Sequence, residues 1–252
     1  MVDQPIPLSP EEIRVLITCP LHYHFLQQKT AVPTAETVSI DARITGAIHQ
    51  LHAAGGPARL SIRKLMAPLA EYPAAQLMVE HYYLHLRQEW PRMLSSNETM
   101  QLQISVGGVI LALHATLDRV DKTGDGGVLA ILLRTASQTP PTPNQLRRDP
   151  ALTIYHAVVA SAYPQKRPVR LQELWLYHNQ AVTVELSEAE FRDNLRRLRE
   201  PVQALARSEV RARPGHHCEA CPFKQHGCPV YAHDDGDGPP IEPTQRQWIY
   251  KI

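Results

Sequence analysis

The chain lacks any run of roughly 18 apolar residues, so no segment reads as a membrane span. It also lacks an excess of either charge: Lys and Arg number 26, Asp and Glu 25, and the net charge is +1. No global basic field advertises nucleic acid. There is no Walker loop, no G-x-G-x-x-G, no H-E-x-x-H and no G-x-S-x-G, which sets aside the enzyme classes built on those turns and helices. Nothing at the N-terminus resembles a signal peptide, because MVDQPIPLSPEE has acids and prolines where an apolar stretch belongs. A reducing, cytoplasmic setting is therefore expected, in which the sequon Asn97-Glu98-Thr99 carries no meaning.

What remains is an ordinary globular composition of 252 residues, 43% hydrophobic and 20% charged. That length supports a real core. One domain is expected over residues 1–233. The tail 234–252, opening on DDGDGPPIEP, is expected to be mobile.

Cysteine is scarce, and its placement is informative. Of four cysteines, Cys19 stands alone and Cys218, Cys221 and Cys228 form C-x2-C-x6-C. None is left over, so one inorganic centre could tie both chain ends together. Thiolates suit zinc or an iron–sulfur cluster. A local zinc site drawing on His216, His217 or His226 is an alternative, with Cys19 then a small buried hydrophobe. Two disulfides are a further alternative, disfavoured in a reducing compartment.

Ser9-Pro10-Glu11-Glu12 predicts a capped helix start, with serine as cap, proline first and Glu12 closing the box. That helix should end near Cys19-Pro20, with a short second helix after it. Further helices are expected over 36–54, 61–72 and 74–90. The period then falls to two, predicting strands in QLQISV, VILALHATLDRVD and VLAILLRT. Gly107-Gly108 and Thr123–Gly127 are expected as turns. SQTPPTPNQ reads as a proline-rich loop, DPALTIYHAVVASAY as a helix, and VRLQELWLYH with AVTVEL as a hairpin. Ser187 and Glu190 open a long helix. The fold class is mixed α/β or α+β, with a small central mixed sheet flanked by helices.

This layout resembles the RecB-type nuclease domain of the PD-(D/E)XK superfamily, in its iron–sulfur branch. AddB subunits of bacterial helicase–nucleases and CRISPR-associated iron–sulfur nucleases belong there. The resemblance rests on LSPEEIRVLITCPLHYHFL, on Gly46-Ala47-Ile48-His49, on Ala115-Thr116-Leu117-Asp118-Arg119 and on the cysteine spacing. It implies a restriction-endonuclease-like core and a 4Fe-4S cluster on Cys19, Cys218, Cys221 and Cys228, with zinc as the alternative. It also implies DNA as partner, with a helicase, nuclease or other CRISPR or repair protein nearby.

The same resemblance exposes a departure. Family members carry a second acid and a lysine on the strand after the first aspartate. Here Leu132 and Arg134 stand at those positions. A family glutamine four residues before a tyrosine is also missing, since Ala151 precedes Tyr155. His49 and Asp118 remain, with Arg134 at the lysine position. Leucine cannot ligate Mg²⁺ or Mn²⁺, and arginine is a planar fork rather than a compact ammonium. The expectation is a nuclease fold without hydrolysis, or, as alternatives, an active nuclease with a rearranged site or a zinc-stabilised interaction domain. Asp121, Asp125 and Glu173 are the acids that could substitute, and they read as turn and surface residues. His114 shares a strand face with Asp118, and Tyr23, His24 and Phe25 read as packing beside Cys19. Arg147, Arg148, Arg192, Arg196, Arg197 and Arg199 are the candidate DNA-binding residues.

Overall fold

A computed structural model describes residues 4–28, 39–224, 228–231 and 249–251. A short strand, β1 (Ile6–Leu8), leads into helix α1 (Pro10–Thr18). The Ser9 hydroxyl accepts from the Glu12 N–H at 3.2 Å, and the Glu12 carboxylate accepts from the Ser9 N–H at 2.7 Å. Cys19 is extended at φ −154°, because the following proline disfavours a helical residue before it. Pro20 then opens α2 (Pro20–Gln27).

Three helical segments follow: α3 (Ile40–Ala53), α4 (Ile62–Met66) with a 3₁₀ turn after it, and α5 (Pro73–Gln88). The long strands β2 (Met93–Val106) and β3 (Val109–Lys122) form a hairpin. Its turn needs φ of +61° at Gly107 and +88° at Gly108, which glycine adopts without a Cβ penalty. Strand β4 (Val128–Arg134) is followed by α6 (Pro143–Arg147), α7 (Pro150–Ala162) and the hairpin β5 (Val169–Trp175) to β6 (Gln180–Glu185). Helix α8 (Glu188–Ala206) and strand β7 (Glu209–Arg211) lead into the cysteine-bearing segment, and β8 (Ile249–Lys251) pairs with β7.

Six strands form one mixed sheet, β1-β3-β4-β5-β6, with β2 on the other edge of β3. The long β3 shares one edge between two partners: β1 runs parallel to Leu111–Leu113, and β4 runs antiparallel to Arg119–Lys122. Strands β4 and β5 are parallel, joined through α6 and α7. Strand β4 is buried on both faces and reads as an apolar run for that reason. Val128, Ala130 and Leu132 join a core with α1, α7 and α8, whereas Ile131 and Leu133 join a second core with α3, α4 and α5.

Several expectations shift. Strand β2 begins at Met93, well before the expected Gln101, because LSSNET carries little apolar alternation and bends through Asn97 at φ +48°. The proline-rich loop contains α6, capped by the Thr142 hydroxyl and closed by Gln145. Within the expected tail, 234–248 and 252 lie outside the described residues, while 249–251 pair with β7. The start of the helix expected over 36–54 also lies outside them, as does His226.

Candidate nuclease site and cysteine centre

Helix α3 buries Ile44, Ala47, Ile48 and Leu51, which leaves His49 half-buried at the edge of that face. Its Nε2 lies 2.8 Å from Asp118 Oδ1. The other Asp118 oxygen, Oδ2, accepts from the Leu133 backbone N–H at 2.8 Å. The β3–β4 pairing ends at Arg119–Ile131, one step before Asp118. The carboxylate therefore stands in for a strand partner where the ladder stops. Both oxygens are engaged inside the protein, one by an imidazole and one by a backbone amide.

Arg134 turns elsewhere. Its Nε and Nη2 donate to Glu173 Oε1 at 3.0 and 2.7 Å. Arg14 of α1 reaches the same oxygen at 3.5 Å and grips Asp149 Oδ2 through Nε at 2.8 Å and Nη2 at 2.7 Å. Asp149 also caps α7, accepting from the Ala151 N–H at 2.9 Å. These groups line a groove of about 780 Å³, walled by Thr139–Thr142 and Trp175. His49 lines a different groove, with Arg43, Gln50, Ser96 and Asn97. His49 and Asp118 are thus brought together, and Arg134 is not brought to them.

The surface reading of Glu173 is corrected. It is 3% exposed and directly across the β4–β5 pair from Leu132, itself 1% exposed. Asp121 is corrected too, being buried with Arg119 Nε 3.0 Å away. Asp125 lies in its turn as expected, accepting from Arg170 at 2.7 Å. Strand alternation held the signal for Glu173: in VRLQELW it falls in phase with Val169, Leu171 and Trp175, all buried. Tyr155 donates to Glu11 Oε1 at 2.7 Å. His114 lines a separate groove with Pro7, Gln101 and Gln103.

Behind the His49–Asp118 pair lies a buried network. The Tyr82 hydroxyl accepts from Arg119 Nη1 at 2.6 Å and lies 2.7 Å from His52 Nε2. Burial, then the nearby Arg119 charge, pushes the His52 pKa down to about 3. Burial also raises the Asp121 pKa, against the pull of Arg119. The folded protein keeps His52 neutral where the unfolded chain would protonate it. The unfolded state binds more protons between pH 6.5 and about 3, so stability falls as pH falls through that window. His52→Gln should flatten the acid limb of a stability–pH curve by up to about 1.4 kcal/mol per pH unit there. Equal slopes for the two proteins would remove His52 from the acid response.

The four cysteines converge. Cys19, Cys218, Cys221 and Cys228 line one small cavity with Leu21, Phe25 and Phe223, and all four are free thiols. Burial raises the Cys228 pKa, and the other three thiols act in the same direction. Phe25 packs on Phe223 at 5.1 Å, and Tyr23 and His24 are buried, so this aromatic trio is packing beside Cys19. His217 shares the cavity, with Nε2 3.6 Å from Cys218 Sγ. As placed, no three His, Cys, Asp or Glu side chains among the described residues approach closely enough to hold a metal ion. The donor set is soft, sulfur-rich and shielded by apolar side chains, which fits zinc or an iron–sulfur cluster and not a hard cation.

The arginines are less free than composition suggests. Arg192 pairs with Glu188 at 3.7 Å and Arg196 with Asp193 at 2.9 Å, all exposed on α8. Arg197 donates to the Arg148 carbonyl at 2.6 Å, and Arg147 to Asn144 Oδ1 at 3.0 Å. Arg192, Arg196 and Arg199 share one face at i, i+4 and i+7.

A family model for the PD-(D/E)XK nuclease superfamily matches residues 7–228. The chain belongs to that superfamily. The match runs from β1 to the last cysteine. Among solved proteins, SSO0001 is 14% identical, with a TM-score of 0.49, covering 92% of this chain and 89% of its own. No curated protein matches. No helix among the described residues is long and apolar enough to cross a membrane.

Proposed function

We propose that this chain is a PD-(D/E)XK module that has lost hydrolysis and acts by binding DNA or a protein partner in DNA processing, repair or defence. The observation that carries the reading is Leu132, 1% exposed where the second metal-binding carboxylate belongs. A divalent ion in such a site needs oxygen from more than one carboxylate. Asp118 is present, with one oxygen facing His49 and the other taking the Leu133 N–H. Leu132 supplies no second acid, and Arg134 is spent on Glu173. Glu173, the buried acid beside Leu132, is held by the guanidiniums of Arg14 and Arg134.

Cys19, Cys218, Cys221 and Cys228 would hold the 4Fe-4S cluster, or zinc in the second reading. The bound centre would supply a structural crosslink. Iron and sulfide content, with the visible absorbance of the purified protein, separates the two metals.

Binding to DNA would rest on phosphate contacts from the Arg192, Arg196 and Arg199 face of α8, with Arg147 and Arg148 at its near end. Arg197 is assigned to holding α8 against the start of α7, since it is bonded to Arg148. Replacing Arg192 and Arg196 by alanine should weaken binding at low salt and reduce the salt slope by about two. Fluorescence anisotropy over a salt series reads both. An unchanged slope removes this helix face from the account and leaves a protein partner as the remaining reading.

A further inference from the structure

Helix α1 touches both of the sites described above. At its first turns, Glu11 accepts from Tyr155, and Arg14 holds Asp149 and Glu173. At its other end, Cys19 is the cap residue, and the Ile17 carbonyl accepts from Arg213 Nη1 at 2.6 Å. Arg213 lies on the segment that carries the other three cysteines and lines the thiol cavity. The helix has 9 residues, and Ile13 and Leu16 are fully buried between its ends. A helix of that length is a strut of about 13 Å, and Arg14 sits about one turn before its last residue, Thr18.

We infer that the thiol centre controls the ion lattice of the Arg134 groove through α1. With metal bound, Cys19 is fixed and Arg14 stays between Asp149 and Glu173. With metal lost, the C-terminal end of α1 is released, Arg14 loses its position, and Glu173 is left to Arg134 alone. The Asp149 cap of α7 then loosens, because the carboxylate that accepts from the Ala151 N–H is the one Arg14 holds. Two sites share one rigid element, and the contacts that differ between states are named. The inference rests on the reading that the four thiols hold a metal.

Hydrogen exchange tests it. Metal content is measured first on the purified protein, then again after treatment with an oxidant and a chelator. Stripping should raise exchange in the first turn of α7 about tenfold, while α5, on the other core, stays unchanged. In Arg14→Gln protein with metal bound, that turn should already exchange fast, and stripping should change it less than twofold. Arg213→Met perturbs the same end of α1 without touching a thiol. It should raise α7 exchange at least about twofold with metal retained, so the inference stands or falls even if stripped protein unfolds. Protective exchange in α7 that ignores both metal loss and Arg213→Met overturns the coupling and leaves the metal reading intact. Purified protein without metal overturns the metal reading itself, and the coupling with it.

Discussion

On the four-thiolate reading, Cys19→Ser should leave the purified protein without metal and lower its melting temperature by roughly 10–20 °C. The size follows from loop closure. A centre that joins Cys19 to Cys218, Cys221 and Cys228 closes a loop of roughly 200 residues. By analogy with a covalent crosslink, that constraint is worth about 5 kcal/mol through the unfolded chain. Each kcal/mol moves the midpoint of a domain this size by about 2–4 °C. Cys19 is buried against Leu21 and Val210, so its loss also opens the contact between α2 and β7. His217→Ala is the matched control, since His217 lines the same cavity. A four-thiolate centre predicts normal metal content in that variant. A local zinc site predicts the reverse, with His217 or a neighbouring histidine required and Cys19 dispensable. Full metal content and an unshifted midpoint in Cys19→Ser would sink the clasp.

The gathering of the four cysteines around one cavity was legible in their placement, because a lone Cys19 and a C-x2-C-x6-C cluster leave none over. The main helices were legible for a local reason. Ser9 with Glu12, Ser187 with Glu190, and prolines at first positions fix helix starts within four residues. The three-residue strands β1 and β7 were not legible, since no periodicity accumulates over such lengths. Their existence depends on a distant partner edge, Leu111–Leu113 for β1. The same limit applies at the site. Aligning Asp118 with Arg134 by motif spacing treats them as one constellation. Where the β3–β4 ladder ends, Asp118 turns toward α3, and Arg134 turns toward α1 and β5. Nothing local records that parting. Glu173 is different: its phase in VRLQELW did mark it as buried, and only an expectation that carboxylates lie outside concealed it.

The unmodified protein should cut neither single- nor double-stranded DNA, with Mg²⁺ or with Mn²⁺, at a rate within about a thousandfold of an active nuclease of this superfamily. Losing one preorganised electrostatic group at an active site already costs about 10²–10³ in rate. Here the second acid and the lysine are both replaced, and the first acid is engaged by His49 and the Leu133 amide. The prediction has a constructive side. Leu132 and Glu173 are paired across β4 and β5, so Leu132→Asp sets two carboxylates side by side. Combined with Arg134→Lys, which loosens the two-bond grip on Glu173 Oε1, it should create an oxygen-rich pair that holds Mn²⁺. Thermal unfolding should then become Mn²⁺-dependent in the double variant and stay Mn²⁺-independent in the parent. Adding Glu173→Gln should abolish that dependence. The decisive observation against the reading is cleavage by the parent protein that disappears with Asp118→Ala. It would mean that Asp118 leaves His49 and the Leu133 amide to meet an ion, and that another carboxylate moves to join it.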